Sequence, residues 1–229
     1  MIRTGLIFTA IFFAAATALS ALGWMHAPAG EPLPVHFGPD GQPDRYGGKW
    51  EAFAIIPPII LGIGLICAVL PSIDPRGKNL QRSATPYLIS WIGGMAVATL
   101  AQAAITFSIL YGLDPSGGPV MIRGILLATA LLFLLLGNVL PKARPNFFLG
   151  VRTPWTLTSD LSWQKTHRLV GRLWVAVGLI GVPLALFAPV QTALWLIVGG
   201  SVGAAIIAVV YSFLVWRGAP DRNPGPQPE

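Results

Sequence analysis

The chain has 229 residues, 54% hydrophobic and only 10% charged, with a mean hydropathy of +0.67. Soluble domains carry roughly 25% charged residues, so there is too little charge here to cover a water-facing surface, and a soluble helical protein is disfavoured. The net charge of +6 sits between apolar runs, as membrane-flanking residues do, rather than on one solvated face, so nucleic acid is not an expected partner.

A helix needs about 20 predominantly apolar residues to cross a bilayer core. Six such segments occur, at about residues 4–25, 52–70, 86–111, 120–140, 170–187 and 191–216. The first has Arg3 ahead of it and Ala27-Pro28-Ala29 after it, as a signal peptide would. Its apolar stretch exceeds an h-region of roughly 7–15 residues, so a retained span is expected.

Residues 26–51 form a first polar island, including "PLPVHFGPDGQPDRYGGKW". Five prolines between Pro28 and Pro43 forbid a regular helix and favour extended backbone and turns. Leu33, Val35 and Phe37 alternate with Pro34 and His36, which predicts a short strand with one face on the membrane surface. Asp40-Gly41 reads as a tight turn, and Asp44, Arg45 and Lys49 are candidates for ion pairs of little energetic weight. His26, Glu31, His36, Asp40 and Asp44 match no compact ligand spacing, so no metal is expected. As recognition residues, His36, Asp40, Asp44 and Lys49 are the candidates.

Cys67, the single cysteine, lies inside an apolar run, which leaves neither an intrachain disulfide nor a cysteine-based metal site. Small residues such as Gly62, Gly199 and Gly203 are candidates for close helix approach. "VLPSIDPR" at 69–76 and "VLPKARPN" at 139–146 echo one another, each where proline would end a span.

The second polar island, residues 137–172, is the most unusual stretch. Pro141 is expected to stop the fourth span, with Lys142 and Arg144 anchoring it at headgroup level. Arg152-Thr153-Pro154-Trp155 is rigid because proline restricts itself and its predecessor. Arg152 beside Trp155 suggests a cation–π contact or a cap on a carbonyl. Thr158 or Ser159 is placed to cap a new helix, with Asp160 complementing its dipole. From there Trp163, His167, Val170 and Trp174 share one helical face and Lys165, Arg168 and Arg172 another, which predicts a basic interfacial helix running into the fifth span. Asn138, Asn146, Thr153, Thr156, Thr166 and His167 exceed what anchoring needs.

The last two spans are joined only by Ala188-Pro189-Val190, a helical hairpin, and the Pro-rich tail 218–229 is expected to be disordered. Of fifteen lysines and arginines, twelve fall on the side of the N-terminus, which places both termini and the 137–172 segment in the cytoplasm. No Walker or dinucleotide glycine loop and no HExxH motif occurs, and no cofactor is expected. Intramembrane carboxylates, usual in ion-coupled transporters, are missing; Gln102, Thr106 and Asn138 are the residues left to line a polar path.

"GNVLPKARPNFFLGVRTPWTLTSDLSWQKTHRLVGRLW" resembles the signature of the SdpI family of bacterial membrane proteins. The resemblance covers Asn138, Pro141, Lys142, Pro145, Asn146 and Gly150, then Arg152 to Trp155, and Trp163 with the run Lys165 to Arg168. "LPVHFGPDGQPDRYGGK" and "DPRGKN" resemble the domain of unknown function that accompanies it, through His36, Phe37, Gly41, Asp44 and Lys49. The family is named for an immunity protein that protects its producer from a membrane-acting toxin and holds a repressor at the membrane.

The reading is therefore an all-α polytopic protein of the bacterial inner membrane with about six spans. Residues 1–111 form an N-terminal three-span region and 112–217 an SdpI-like three-span region. The expected function is immunity or signalling: binding a membrane-active peptide or toxin outside and recruiting a regulator inside, with membrane lipids around it. The partner-binding candidates are Asn138, Lys142, Arg144, Asn146, Arg152, Thr153, Trp155, Trp163, Lys165, Thr166, His167 and Arg168, besides the four of the outer loop. A small-solute or lipid transporter is the alternative, and a membrane enzyme using His167, Arg152 and Asp160 a third reading; no catalytic set is assigned.

Overall fold

A computed structural model of the chain describes residues 1–111 and 117–222. Helix α1 (Ile2–His26) leads into a hairpin of β1 (Leu33–Phe37) and β2 (Pro43–Gly47), then a short α2 (Lys49–Phe53) and α3 (Ile56–Ile73). After α4 (Gly77–Arg82) come α5 (Ala84–Leu110) and α6 (Gly117–Val139), which closes with a 3-10 turn at Leu140–Lys142. The one-turn α7 (Pro154–Leu157), α8 (Asp160–Phe187) and α9 (Val190–Arg217) complete the chain.

Among the described residues, six helices are long and apolar enough to cross a membrane. Their outward residues are large and apolar, such as Ile11, Leu65, Ile66, Phe187, Ile206 and Leu214. In water this surface would drive association; in a bilayer it is the lipid-facing coat. The protein is thus an all-α polytopic membrane protein that carries one small β-hairpin.

Helix α5 is the hub of the first half. Trp91 lies over Gly5 of α1, where a Cβ would sit 2.3 Å from its ring, and its Nε1 donates to Thr9 Oγ1 at 3.1 Å. Tyr87 donates to the Cys67 carbonyl at 2.6 Å, Gln102 to the Ala52 carbonyl at 3.1 Å, and Thr106 to the Leu19 carbonyl at 3.1 Å. Gln102 and Thr106, candidates for a polar path, are fully buried and tie neighbouring helices instead.

In the second half, α6 crosses α8 antiparallel at very short range. A Cβ on Gly137 would lie 2.6 Å from the Gly171 carbonyl oxygen, and one on Gly178 would lie 2.7 Å from that of Ala130. The sequence had offered Gly62, Gly199 and Gly203 as approach points, but nothing lies within 4 Å of a Cβ built at any of them.

Two ends result. The hairpin end holds β1, β2, α2 and the α8–α9 turn. The motif end holds Met1, α4, the 140–159 loop and the start of the tail. The expected strand at Leu33–Phe37 is present and pairs antiparallel with β2 in an irregular register, Leu33 opposite Gly47 and Phe37 opposite Pro43. The interfacial helix and fifth span are one unbroken 28-residue helix, α8. At 1.5 Å per residue that is about 42 Å, against a hydrocarbon core of about 30 Å, so its first turns stand outside the core. The tail expected to be disordered from residue 218 is tied down over its first residues, with Ala219 buried and Asp221 hydrogen-bonded. Its remainder, 223–229, lies outside the described residues.

Candidate functional site

At the motif end, the 143–159 loop folds around its own polar side chains. Asn146 is fully buried. Its Oδ1 accepts from the amides of Phe148 at 2.9 Å and Leu149 at 2.6 Å, and its Nδ2 donates to the Arg144 carbonyl at 2.8 Å. Thr153 caps α7 in a reciprocal box with Thr156, whose hydroxyl also donates to the Val151 carbonyl at 2.8 Å. Thr153 Oγ1 meets Ser212 Oγ of α9 at 3.0 Å, and Trp155 packs edge-on against Phe213 at 5.2 Å.

His167 and Trp163 form the loop's inner wall, both fully buried and stacked at 4.0 Å between ring centroids. The Val151 amide donates to His167 Nε2 at 3.1 Å, so that nitrogen is an acceptor and the proton sits on Nδ1, which donates to the Trp163 carbonyl at 2.8 Å. Trp163 Nε1 donates to the Ala143 carbonyl at 2.8 Å. Gly150 adopts φ +95, and a Cβ there would lie 2.1 Å from His167 Nε2. Both ring nitrogens of His167 are thus engaged with backbone, which leaves it no free atom for acid–base work. Arg152 and Asp160, its partners in the enzymatic reading, are exposed.

Sequence reasoning missed the residues that brace this loop from the first half. Asp74 is buried; its Oδ1 accepts from the Arg76 amide at 2.6 Å and its Oδ2 from the Phe147 amide at 3.1 Å. Asn79 donates to the Pro145 carbonyl at 3.0 Å, and Ser83 Oγ accepts from the Arg144 amide at 2.9 Å. Arg76 donates to the Leu157 carbonyl at 3.2 Å and lies over the Phe147 ring at 5.8 Å. Of the two roles expected for Arg152, the structure shows the carbonyl cap, with Arg152 donating to the Phe147 carbonyl at 2.9 Å; the cation–π contact at this loop is instead Arg76 with Phe147. The two echoed V-L-P segments lead into loops that hydrogen-bond to one another, and Asp74, Arg76 and Asn79 lie within the "DPRGKN" stretch.

Ser159 caps α8 by accepting from the Ser162 amide at 3.0 Å, and donates to Asp221 at 2.7 Å. The face pattern of α8 follows expectation: Trp163, His167 and Val170 are buried, and Lys165, Arg168 and Arg172 exposed. Lys142, Arg144 and Asn138 are exposed as well, whereas Thr166 is buried with an unpartnered hydroxyl.

The hairpin end is built differently. His36 Nδ1 contacts Asp44 Oδ1 at 2.6 Å on the exposed side of the hairpin, and Arg45 pairs with Glu51. Asp40 caps the turn by accepting from the Gln42 amide at 3.0 Å, with Gly41 at φ +80. Lys49 donates to the Trp24 carbonyl at 3.1 Å with its ammonium 5.9 Å from the Trp24 ring. Trp24 and Trp50 meet edge-on at 5.3 Å. Beside them α1, α2 and α3 flank an open apolar cleft of about 640 Å³, lined by Phe13, Ser20, Trp24, Trp50 and Phe53 among others. Ser20 Oγ is buried there without a partner. Among the described residues no three of His, Cys, Asp and Glu cluster as a metal site would require.

Six apolar helices among the described residues, an ordered hairpin at one end and a braced loop at the other define a multi-pass membrane protein. Residues 142–212 match the SdpI/YfhL protein family and residues 11–61 a domain of unknown function, DUF1648. The chain therefore joins a DUF1648 region to an SdpI-family region. It is 35% identical over 57 residues to the immunity protein SdpI of Bacillus subtilis (strain 168), a match covering 24% of this chain and 28% of that protein. No solved structure matches. The DUF1648 match holds α1 from residue 11 onward, the hairpin, α2 and the start of α3, and ends before the "DPRGKN" loop.

Proposed function

We propose that this chain is an immunity-type protein of the bacterial inner membrane that captures a membrane-active peptide at its hairpin end. The carrying observation is the apolar cleft of about 640 Å³ beside Trp24 and Trp50. Ligand sites of roughly 300–1,000 Å³ lined by apolar and aromatic groups suit a few large side chains, and Trp50 is 75% exposed at its rim. Lys49, held on Trp24, stands at the cleft, and His36, Asp40 and Asp44 of the adjoining hairpin are offered as further polar recognition groups.

With the motif end cytoplasmic, the exposed Lys142, Arg144, Arg152 and Lys165 offer a basic surface for an acidic regulator. Arg152, Trp163 and His167 hold the loop in the shape that presents it.

The test is protection. Cells lacking the protein are challenged with a panel of membrane-active peptides, then complemented with the wild type, Trp50→Ala or Ala21→Trp. Ala21 is exposed on α1 and lines the cleft, so tryptophan fills the cleft from outside the helix packing. Protection by the wild type and its loss in both variants at equal membrane levels is expected. Unchanged sensitivity with and without the wild type across the panel sinks the proposal.

A further inference from the structure

The tight α6–α8 crossing leaves a recess at the motif end. Beside the packed Gly137 and Gly171 runs a groove of about 400 Å³, walled by Asn138, Arg168, Arg172 and Val175. Arg168 and Arg172 stand one helical turn apart, and both are exposed. Among the described residues neither guanidinium has a carboxylate or hydrogen-bond partner, and the Asn138 amide has none either. Two unneutralised cations and a free amide thus face one recess, in a chain where most other polar groups of this loop are engaged.

The groove continues along the bundle as apolar surface. On α6, Leu131 and Leu135 fall on the same helical face as Asn138 and are 43% and 54% exposed. On α8, Val175 and Leu179 continue the face of Arg168 and Arg172, and Leu179 is 59% exposed. Cationic and amide groups therefore crown two apolar tracks that run toward the middle of the bundle. That order, charge at the interface and hydrocarbon below it, is the order of a phospholipid.

We infer that this groove binds an anionic phospholipid, its phosphate between Arg168 and Arg172 and one acyl chain along Leu135 and Leu179. Guanidinium forks match phosphate oxygens in a way an ammonium does not. A free small anion would use the crown and leave the tracks empty; the lipid uses both. The site is independent of the cleft at the hairpin end and of any peptide bound there.

The full chain is purified in mild detergent, and lipid retention is read by native mass spectrometry. The probes are phosphatidylglycerol and phosphatidylcholine with identical acyl chains, and inorganic phosphate as competitor. Wild type is expected to retain phosphatidylglycerol well above phosphatidylcholine. Arg168→Gln with Arg172→Gln is expected to weaken phosphatidylglycerol on the order of 30-fold, from about 1 kcal/mol per interfacial cation. Arg82→Gln, an exposed cation away from the groove, should leave it unchanged. Both groove arginines are exposed, so the lipid-free unfolding temperature of the double variant should match the wild type and show that the fold is intact. Equal retention of the two lipids by the wild type overturns the inference, as does undiminished phosphatidylglycerol binding by the double variant. Displacement of the lipid by equimolar inorganic phosphate would overturn it too, by showing a small-anion site.

Discussion

The Val151 amide donates to Nε2 of His167 at 3.1 Å, and this bond fixes both the ring's tautomer and the path of the loop. His167→Phe keeps a ring to stack on Trp163 but leaves the Val151 amide without its partner. Orphaned buried polar groups lose about 1–3 kcal/mol, so a clear drop in unfolding temperature is expected. Gly150→Ala should be comparable or worse, because alanine is strained at φ +95 and its Cβ would lie 2.1 Å from the ring. Tryptophan fluorescence during thermal unfolding in detergent reads both variants, and two wild-type melting curves would refute the account.

Asp74 joins the halves of the molecule through the Phe147 amide at 3.1 Å. Hydrogen bonds to a charged acceptor contribute roughly 1.5–3 kcal/mol, so Asp74→Ala should release the 144–149 segment while the spans persist. Asp74→Asn keeps one accepting oxygen for two amides and should fall between. Hydrogen exchange at residues 144–149 is the measurement, and protection equal to wild type in Asp74→Ala would show that Asn79 and Ser83 suffice.

What was legible in the sequence follows from range. Six spans are visible because each apolar run is continuous, and Ser159 as a cap is visible because its partner Ser162 lies three residues away. Asp74 and Phe147 are not, since no linear signal says that two distant loops meet; the V-L-P echo hinted at kinship, not contact. The surplus of Asn146, Thr153, Thr156 and His167 was visible, but an asparagine that binds its own backbone reads like one that awaits a ligand. The groove glycines were missed for another reason. Around Gly137 and Gly178 the helices are apolar all round, so the sequence there carries no amphipathic stripe to show which side faces a neighbour.

That rotation makes a prediction about glycines. Gly137→Ala and Gly178→Ala would each place a methyl against backbone, 2.6 Å and 2.7 Å from a carbonyl oxygen, and backbone cannot swing aside as a side chain can. Overpacking of this kind typically loses about 1–3 kcal/mol, so both should lower the unfolding temperature. Gly199→Ala and Gly203→Ala meet nothing within 4 Å and should be neutral or slightly stabilising, since alanine favours helix. The reverse order would mean that α6 and α8 do not cross at these residues.

Asp221 supplies a pH-dependent hold on the start of α8. Its carboxylate accepts from Ser159 Oγ at 2.7 Å and from the Leu161 amide at 3.1 Å. Partial desolvation pushes its pKa up, but these hydrogen bonds outweigh it and hold the carboxyl below its ordinary value. A depressed carboxylate stabilises the fold above its unfolded pKa, near 3.9, and that contribution fades as pH falls through the lower folded value. Protection of the Leu161 amide should therefore persist at neutral pH and decline only below about pH 4 in the wild type. Asp221→Asn should show weaker protection at pH 7 and lose most of the difference from wild type in acid. An Asp221→Asn protein with wild-type protection at every pH would show that Ser159 caps the helix unaided and that the tail merely lies beside it.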